Sequence, residues 1–349
     1  MTNCIHVAID VMGGDFGPSE TVSASVDFLL ENPGHKILLV GEKECIGESL
    51  SLFPKQTLDF AHLNLNCSDS RLSVLHTEEK IKMDESPALA LKRGRKSSMW
   101  LAVDAVKRGQ CSAAVSAGNT GALMAISKYL LKMLEGIDRP AIASSLPNIS
   151  GGSTTVLDLG ANVECNEYQL LQFAMMGSAL VSATHLIKDP TIGLLNVGEE
   201  MIKGNDVVKK VGELLTNSNL NFVGNVEGDD IFKGKSDVVV CDGFVGNVAL
   251  KSSEGLAQMI RNILKEEFNR NLITKILSFC AFPVLKKFSQ RLDHRRYNGA
   301  ALLGLNGIIF KSHGSADRLA FRCAIERAVD AASNQVNDRI KNILRASEC

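Results

Sequence analysis

Short apolar runs recur along the chain, and each run ends in glycine or a small polar residue. Segments of helical length lie between many of them, with apolar residues three and four positions apart, as at 19–32 and 166–187. The runs are nearly continuous rather than alternating, which is typical of strands covered by helices on both faces. The pattern therefore predicts an α/β fold with a mostly parallel sheet. The predicted strands are IHVAIDV, HKILLVG, LSVLHT, SAAVSAG, TTVLDLG, TIGLLNV, NFVGNV, DVVVCDG and LLGLNGIIFKSHG.

Glycine, often next to asparagine, follows most of these strands. Examples are Gly13-Gly14, Gly118-Asn119-Thr120 and Gly160-Ala161-Asn162. Open parallel sheets bind ligands beyond the carboxyl ends of their strands, so we expect these loops to meet at one ligand-binding edge. The alternative for each loop is an ordinary tight turn, in which glycine and asparagine are also common.

Composition limits the possible partners. The chain has 349 residues, 45% of them hydrophobic and 22% charged, with a net charge of −1. That charge gives no global attraction to nucleic acid or to anionic lipid, so any electrostatic binding must come from local patches. Aromatic residues make up only 5% of the chain, and Trp100 is the single tryptophan. Stacking on single-stranded bases is therefore not expected, and no nucleic acid partner is predicted.

The nine cysteines are scattered, and none forms a CxxC pair. The N-terminus leads directly into a strand-like segment, without the pattern of a signal peptide. No apolar run approaches the ~18 residues of a membrane span. These features predict a cytoplasmic protein with free thiols.

Several blocks carry a family resemblance over essentially the whole chain. They are IDVMGGDFGP (9–18), VSAGNTGALMA (115–125), LDLGAN (157–162), GLLNVGEEMIKGN (193–205), VVVCDGFVGNVALK (238–251) and LLGLNGIIFKSHGSAD (302–317). In this order they resemble the bacterial phosphate acyltransferases, the acyl-acyl-carrier-protein:phosphate acyltransferases of phospholipid synthesis.

The resemblance implies a reaction, a fold and partners. A long-chain acyl group would move from acyl carrier protein to inorganic phosphate, and the acyl phosphate would pass to a glycerol-3-phosphate acyltransferase. The implied fold is the three-layer α/β/α architecture of the isocitrate and isopropylmalate dehydrogenases, as one catalytic unit over 1–349. A homodimer is expected, and no cofactor or metal is predicted.

Phosphate is itself a nucleophile, so the site must hold a dianion and stabilise an oxyanion rather than activate a side chain. Gly118, Asn119 and Thr120 would begin a helix and form a phosphate cradle, or simply an N-cap turn. Asn162 is read either as an amide donor to the ligand or as an Asx-turn residue. Gly13 and Gly14 would let the backbone approach the ligand.

Polar side chains in three other blocks are candidates for the reaction. Lys203 would neutralise phosphate or the oxyanion, although a solvated surface lysine is the alternative. Asp242 is a substrate-binding candidate, and Asn247 either caps a helix or donates to the oxyanion. His313 would act as general acid or orient phosphate, unless it caps a helix from Ser315. Two acids at the first loop, Asp10 and Asp15, would anchor loop N–H groups or pair with a cation such as Lys203.

A cluster of basic residues, Lys92, Arg93, Arg95 and Lys96, is predicted to dock the acidic carrier protein. The alternative is a solvated basic turn.

The segment 255–298 is predicted to form a protruding helical hairpin. Within it, the apolar periodicity from Leu272 to Leu292 is broken at Pro283, which predicts two short amphipathic helices. Nine Lys or Arg and three Asp or Glu lie between Arg261 and Arg296. Peripheral contact with the inner face of the cell membrane is therefore predicted, through Leu277, Phe282 and Leu285. A dimer interface or core packing is the alternative.

Two other functions compete with acyl transfer. One is a metal-dependent NAD(P) hydroxyacid decarboxylating dehydrogenase, although the sequence lacks a GxGxxG fingerprint and an evident aspartate trio. The other is a non-enzymatic scaffold at a membrane surface, suggested by the basic and apolar segment after residue 270.

Overall fold

The structure is a computed structural model that describes residues 4–60, 70–291 and 293–347. Its eleven strands form one sheet. They are β1 (His6–Asp10), β2 (Lys36–Gly41), β3 (Leu72–His76), β4 (Ala113–Ser116), β5 (Ala141–Pro147), β6 (Ser153–Leu157), β7 (Ile192–Leu195), β8 (Phe222–Val226), β9 (Val238–Val240), β10 (Ala300–Leu303) and β11 (Ile308–Lys311).

The helices alternate with the strands along most of the chain. They are α1 (Pro18–Glu31), α2 (Lys43–Ser51), α3 (Lys55–Phe60), α4 (Pro87–Arg93), α5 (Ser98–Lys107), α6 (Thr120–Leu131), α7 (Glu167–Thr184), α8 (Asp206–Thr216), α9 (Asp230–Lys233), α10 (Gly243–Asn269), α11 (Leu272–Arg291), α12 (Arg318–Ser333) and α13 (Val336–Ser347), with a 3₁₀ helix at His294–Tyr297.

The sheet consists of two parallel groups that run in opposite directions. Its strand order is β3-β2-β1-β4-β11-β10-β5-β6-β9-β7-β8. The pairs from β3 to β11 and from β6 to β8 are parallel, whereas β11–β10, β10–β5 and β5–β6 are antiparallel. Three successive reversals leave the group β6-β9-β7-β8 antiparallel to the group β3-β2-β1-β4-β11. The prediction that all the glycine loops share one edge is therefore wrong, because the carboxyl ends of the two groups lie at opposite edges.

Both faces of the sheet are covered, as the nearly continuous apolar runs predict. On β1, Val7 and Ile9 pack into one apolar cluster while Ala8 packs into another. The first cluster includes Phe28 of α1, and the second includes Val103 of α5. The fold class, a mostly parallel α/β sheet between layers of helices, is confirmed.

The central antiparallel strands were not predicted correctly from sequence. Strand β5 was missed, and LLGLNGIIFKSHG was read as one strand although it contains the end of β10 and all of β11. These two strands form a hairpin in which Ala300 pairs with Lys311. Its turn passes through Asn306-Gly307, a dipeptide that favours hairpin turns and that would have indicated the break.

A helical hairpin is present, but its helices differ from those predicted. The long helix α10 begins at Gly243, and α11 is one continuous helix that contains Pro283. The prediction of two short helices separated at Pro283 is therefore wrong. The predicted hairpin at 255–298 also includes residue 292, which is outside the described residues, as are the ends of the predicted unit 1–349. Among the helices that the structure describes, none has the length and apolar content needed to span a bilayer.

Candidate active site

A cavity of about 640 Å³ lies across the central antiparallel strands. Strand β5 provides Ile142, Ser144 and Leu146, and α10 provides Asn247 and Lys251. Loops that follow strands of both parallel groups close its sides. The lining from the first group is Asp15, Thr120, Lys311, Ser312, His313, Gly314 and Ser315, and that from the second is Leu159 and Gly160.

Asp10 ends β1 and is buried, with 1% of its surface exposed. The hydroxyls of Ser98 and Ser116 donate to its two carboxylate oxygens, each at 2.6 Å. Burial raises the pKa of Asp10, while the two hydroxyl donors and the charge of Lys311 oppose that rise. Asp10 thus lies close to Lys311, so the predicted pairing with Lys203 is wrong for this carboxylate.

The glycine pair after β1 makes close contacts with other loops of the protein. A Cβ on Gly13 would lie 2.7 Å from the backbone nitrogen of Gly118. Gly14 has a φ of +87°, and a Cβ there would lie 2.9 Å from the carbonyl oxygen of Gly314. Gly13 and Gly14 thus approach other protein loops closely, and their approach to a ligand stays a prediction. This packing fixes the loops after β1, β4 and β11 against one another.

Lys311 is the cation that sequence reasoning missed. It ends β11, lines the cavity, and its ammonium group donates to the carbonyl oxygens of Ala117, at 3.3 Å, and Ser312. Burial lowers the pKa of Lys311 to about 8, although the charges of Asp10 and Asp15 act in the opposite direction. A lysine that ends a strand, just before the predicted His313, was the available signal.

The predicted phosphate cradle has the predicted local structure, but its asparagine serves the protein. Helix α6 begins at Thr120, and the Asn119 side chain accepts from the Ala122 N–H at 3.0 Å. The Asn119 amide also donates to the carbonyl oxygens of Met83 and Glu85. The side chain of Asn119 is thus an N-cap, whereas phosphate binding by the backbone N–H groups of this loop stays a prediction. Thr120 lines the cavity, so the positive end of the α6 dipole lies at its wall.

Asn162 is also occupied within the protein. Its amide donates to Asp158 at 2.9 Å and to the carbonyl oxygen of Pro140 at 2.7 Å, and the residue is buried. Asp158 in turn accepts from the backbone N–H groups of Ile142, Ala161 and Asn162. Both hydrogen bonds of the Asn162 amide are therefore made within the protein. They are not the bonds of an Asx-turn, in which the side-chain oxygen accepts from a backbone N–H.

Helix α10 brings Asn247 and Lys251 to the cavity. Its N-cap is Asp242, whose carboxylate accepts from the Val245 N–H at 2.8 Å, so the capping alternative for Asn247 is wrong. A Cβ on Gly246 would lie 1.9 Å from the carbonyl oxygen of Asp158, so only glycine permits this contact. The side chain of Asn247 is exposed and lines the cavity. Its role as an oxyanion donor stays a prediction, whereas Asp242 contributes a helix cap.

Lys203 does not line the cavity. It is exposed on the loop after β7, and its backbone N–H donates to Glu200. Strand β7 belongs to the second parallel group, with β9 between it and β6. Lys251 does line the cavity, and its ammonium group pairs with Glu254 at 2.8 Å. The two lysines at the site are therefore Lys251 and Lys311.

His313 lines the cavity within a tight turn. Its Nδ1 lies 2.9 Å from the Ser315 hydroxyl and accepts from the Ser315 N–H at 3.2 Å. The following helix, α12, is capped by Asp317. The predicted alternative, a helix cap starting from Ser315, is thus wrong in its detail. His313 shapes the loop that carries Ser312 and Gly314 into the cavity wall.

The predicted docking residues Lys92, Arg93, Arg95 and Lys96 are all exposed around the end of α4. The segment before α4 contains Met83, which lines the cavity and is held by Asn119. The basic turn is therefore tied to the cavity by a short stretch of chain. Within the described ranges, no group of three or more His, Cys, Asp or Glu side chains is placed to bind a metal ion.

Comparison with solved structures identifies the class of fold. A phosphotransacetylase from Streptococcus pyogenes superposes with a TM-score of 0.58 at 18% identity, over 96% of this chain and 94% of that one. A branched-chain phosphotransacylase from Enterococcus faecalis gives 0.52 at 13% identity, over 93% and 98%. At such low identity these similarities show the fold alone.

Sequence comparison identifies the family. The model of the fatty acid synthesis protein family matches residues 5–339. Proteins called phosphate acyltransferase from Polaromonas naphthalenivorans and Delftia acidovorans are both 56% identical to this chain. The alignments cover 97% of this chain and 89% of the first relative, and 98% and 95% for the second. The chain belongs to the fatty acid synthesis protein family and is an enzyme of the acyltransferase class, which confirms the resemblance.

Proposed function

We propose that this enzyme transfers a long-chain acyl group from acyl carrier protein to inorganic phosphate, giving acyl phosphate for phosphatidic acid and phospholipid synthesis. The name of its relatives supports phosphate as the acceptor. The observation that carries the proposal is the cavity with two lysines, Lys251 and Lys311, next to the positive end of α6. Such a cavity favours a dianion and a developing oxyanion.

In this reaction a phosphate oxygen attacks the thioester carbonyl carbon. The carbon–sulfur bond then breaks, and the carrier thiolate leaves and takes up a proton. Lys311 would hold phosphate or the oxyanion, and Asn247 would donate its amide from the opposite wall. A thiolate needs little assistance, because a thiol has a pKa of ~8.5, so His313 would mainly orient phosphate.

Purified protein tests this directly. Palmitoyl-carrier protein and phosphate should give palmitoyl phosphate and free carrier thiol in equal amounts, without nicotinamide cofactor or added lipid. Replacing phosphate by sulfate is the control and should stop thiol release. Thiol release that is equally fast without phosphate would identify a thioesterase and overturn the proposal.

We place carrier docking at the basic turn Lys92–Lys96. Reversing Arg93 and Arg95 to glutamate should raise KM for the acyl-carrier protein and flatten its salt dependence, with kcat retained. Reversing Lys209 and Lys210 of α8 changes the charge equally on a helix outside the cavity lining and is the control. An unchanged KM at low salt would remove the turn from the docking surface.

Membrane contact is proposed through Leu277 and Phe282 of the hairpin, but no longer through Leu285. Leu277 and Phe282 are 56% and 59% exposed on α11, whereas Leu285 faces a cavity between α10 and α11. Replacing Leu277 and Phe282 by glutamate should release the protein from anionic vesicles and leave turnover of dissolved substrate intact. A loss of folding or of oligomeric state would assign the segment to the core or to an interface.

A homodimer in the cytoplasm, bound peripherally at the inner face of the cell membrane, completes the proposal. The exposed apolar side chains of the hairpin support both self-association and lipid contact. Delivery of a reactive acyl phosphate to a glycerol-3-phosphate acyltransferase would be favoured at that surface. Sedimentation with and without anionic vesicles distinguishes self-association through the hairpin from lipid contact through it.

A further inference from the structure

A second cavity, of about 430 Å³, lies between α10 and α11. It adjoins the first, because Glu254, His313 and Ser315 line both. We call it the hairpin groove. The cationic cavity thus continues directly into the hairpin.

The walls of the hairpin groove are largely apolar. Helix α10 contributes the apolar Ala257, Ile260 and Leu264 and the polar Gln258 and Arg261, and α11 contributes Leu285 and Phe288. The three- and four-residue spacing places each set on one side of its helix. From Glu254 to Leu264 the helix advances about 15 Å, at 1.5 Å per residue. The groove therefore extends about 15 Å along α10, and its polar end lies beside His313.

This surface has no partner among the described residues. Ile260 and Phe288 keep 39% and 45% of their surface exposed, although both belong to the groove wall. Covering such surface with hydrocarbon is favourable. A ligand with a reactive polar head and a linear apolar tail would fill both cavities at once, which neither phosphate nor carrier protein alone would do.

We propose that the hairpin groove binds the acyl chain of the substrate, with the thioester carbonyl in the cationic cavity near Lys311 and His313. This inference rests on the proposed function and specifies where its long-chain substrate lies. Each methylene buried in the groove contributes up to about fourfold to kcat/KM. The gain should stop where the groove ends, near Leu264.

Two tryptophan substitutions test whether the hairpin groove determines the preference for acyl-chain length. Ala257→Trp fills it near the cationic cavity, and Leu264→Trp fills only its far end. With butyryl-, octanoyl- and palmitoyl-carrier protein, Ala257→Trp should lower kcat/KM for octanoyl and palmitoyl substrates by about tenfold or more (two methylenes at ~0.8 kcal/mol each). Leu264→Trp should lower it for palmitoyl alone, and butyryl turnover should be unchanged in both.

Leu256→Trp is the matched control, because Leu256 is on α10 but does not line the groove. It should keep the wild-type profile. If Ala257→Trp does not fold, Ala257→Leu should give the same direction with a smaller loss. Equal losses for all three chain lengths in folded variants would overturn the inference, as would a wild-type profile in Ala257→Trp.

Palmitate binding, measured by calorimetry, separates this inference from the proposed reaction. Ala257→Trp should weaken binding tenfold or more relative to Leu256→Trp. If the protein makes no acyl phosphate but Ala257→Trp still binds palmitate more weakly than Leu256→Trp, the reaction assignment is wrong and the groove still binds acyl chains. If palmitate binds both variants equally, or only vesicle binding and the oligomeric state change, the groove holds lipid or a second copy and the inference is wrong.

Discussion

The two parallel groups of strands use similar loops for different purposes. After β1, β4 and β11, closely packed glycine loops lie around the buried Asp10, and β11 carries the half-buried Lys311 to the cavity. After β6, a loop with a single glycine is held by Asp158, which accepts four hydrogen bonds from nearby groups. A glycine-asparagine motif therefore marks a close turn in both groups, and we expect the chemistry where a turn also brings a lysine to the cavity.

The largest effect is expected at Lys311. Lys311→Met should lower kcat by roughly 10²-fold or more, the scale for losing one preorganised electrostatic stabiliser. Lys203→Met removes the same charge from a loop outside the cavity and should cost only a few-fold. Steady-state kinetics on both variants, with circular dichroism as the check on folding, shows which parallel group of strands carries the reaction centre. A large loss at Lys203 with a small one at Lys311 would move the reaction centre to the β7 loop.

The next effect is on pH dependence. Because the pKa of Lys311 is lowered to about 8, its charge is present below pH 8 and lost as pH rises through 8. Turnover should therefore fall about tenfold per pH unit above that value, if the cation is required. Lys311→Arg keeps its charge and should move the descending limb to higher pH, whatever its absolute rate. A limb that stays at pH 8 in that variant would exclude Lys311 as its origin.

The same pKa makes a prediction about stability. The unfolded lysine keeps its proton up to about pH 10.4, so between pH 8 and pH 10 the unfolded state binds more protons than the folded state. The contribution of Lys311 to the free energy of unfolding should therefore rise with pH in this window. From pH 8 to pH 10, the urea midpoint of the wild type should rise relative to that of Lys311→Met. A constant difference would contradict the lowered pKa.

The smallest effect on turnover is expected at Asp158, although Asp158 accepts more side-chain and backbone hydrogen bonds than Asp10 does. Asp158→Asn leaves N–H donors facing an amide and should lower the free energy of unfolding by about 1–3 kcal/mol, with kcat nearly unchanged. Asp10→Asn should instead move the descending pH limb downward, because a charge that raises the pKa of Lys311 is removed. Urea titrations and pH–rate profiles of both variants test whether Asp158 mainly affects stability and Asp10 mainly affects the pH dependence of turnover.

Strands such as β1, β4 and β9 were predictable because they are buried and read as continuous apolar runs. Strand β5 was not, since AIASSLP interrupts its apolar residues with two serines and ends in proline. The antiparallel centre decides the direction of the second group, so missing it misplaced the loops after β6, β7 and β9. Asn306-Gly307 held a local signal, but the pairing of β5 with β10 depends on contacts distant in sequence.

The candidate site was predictable in part. Thr120, Asn247 and His313 line one cavity, as their blocks implied. The side chains of Asn119 and Asn162 bond within the protein. The sequence could not show this, because the same side chain can cap a turn or bind a ligand. Lys311 was overlooked because it reads as the last residue of a strand. Its altered acidity arises from burial between chain segments about two hundred residues apart.

The position of β11 between β4 and β10 has a consequence for how the chain is made. While the chain is synthesised, β4 is complete long before its neighbour, because residues 113–116 precede residues 308–311 by most of the chain. Until β11 arrives, β4 presents an open edge of unpaired backbone, which invites pairing with the wrong strand or with another chain. The enzyme should therefore mature only after release of its last segments, and truncation within β11 should yield aggregated, chaperone-bound protein rather than a weakened enzyme.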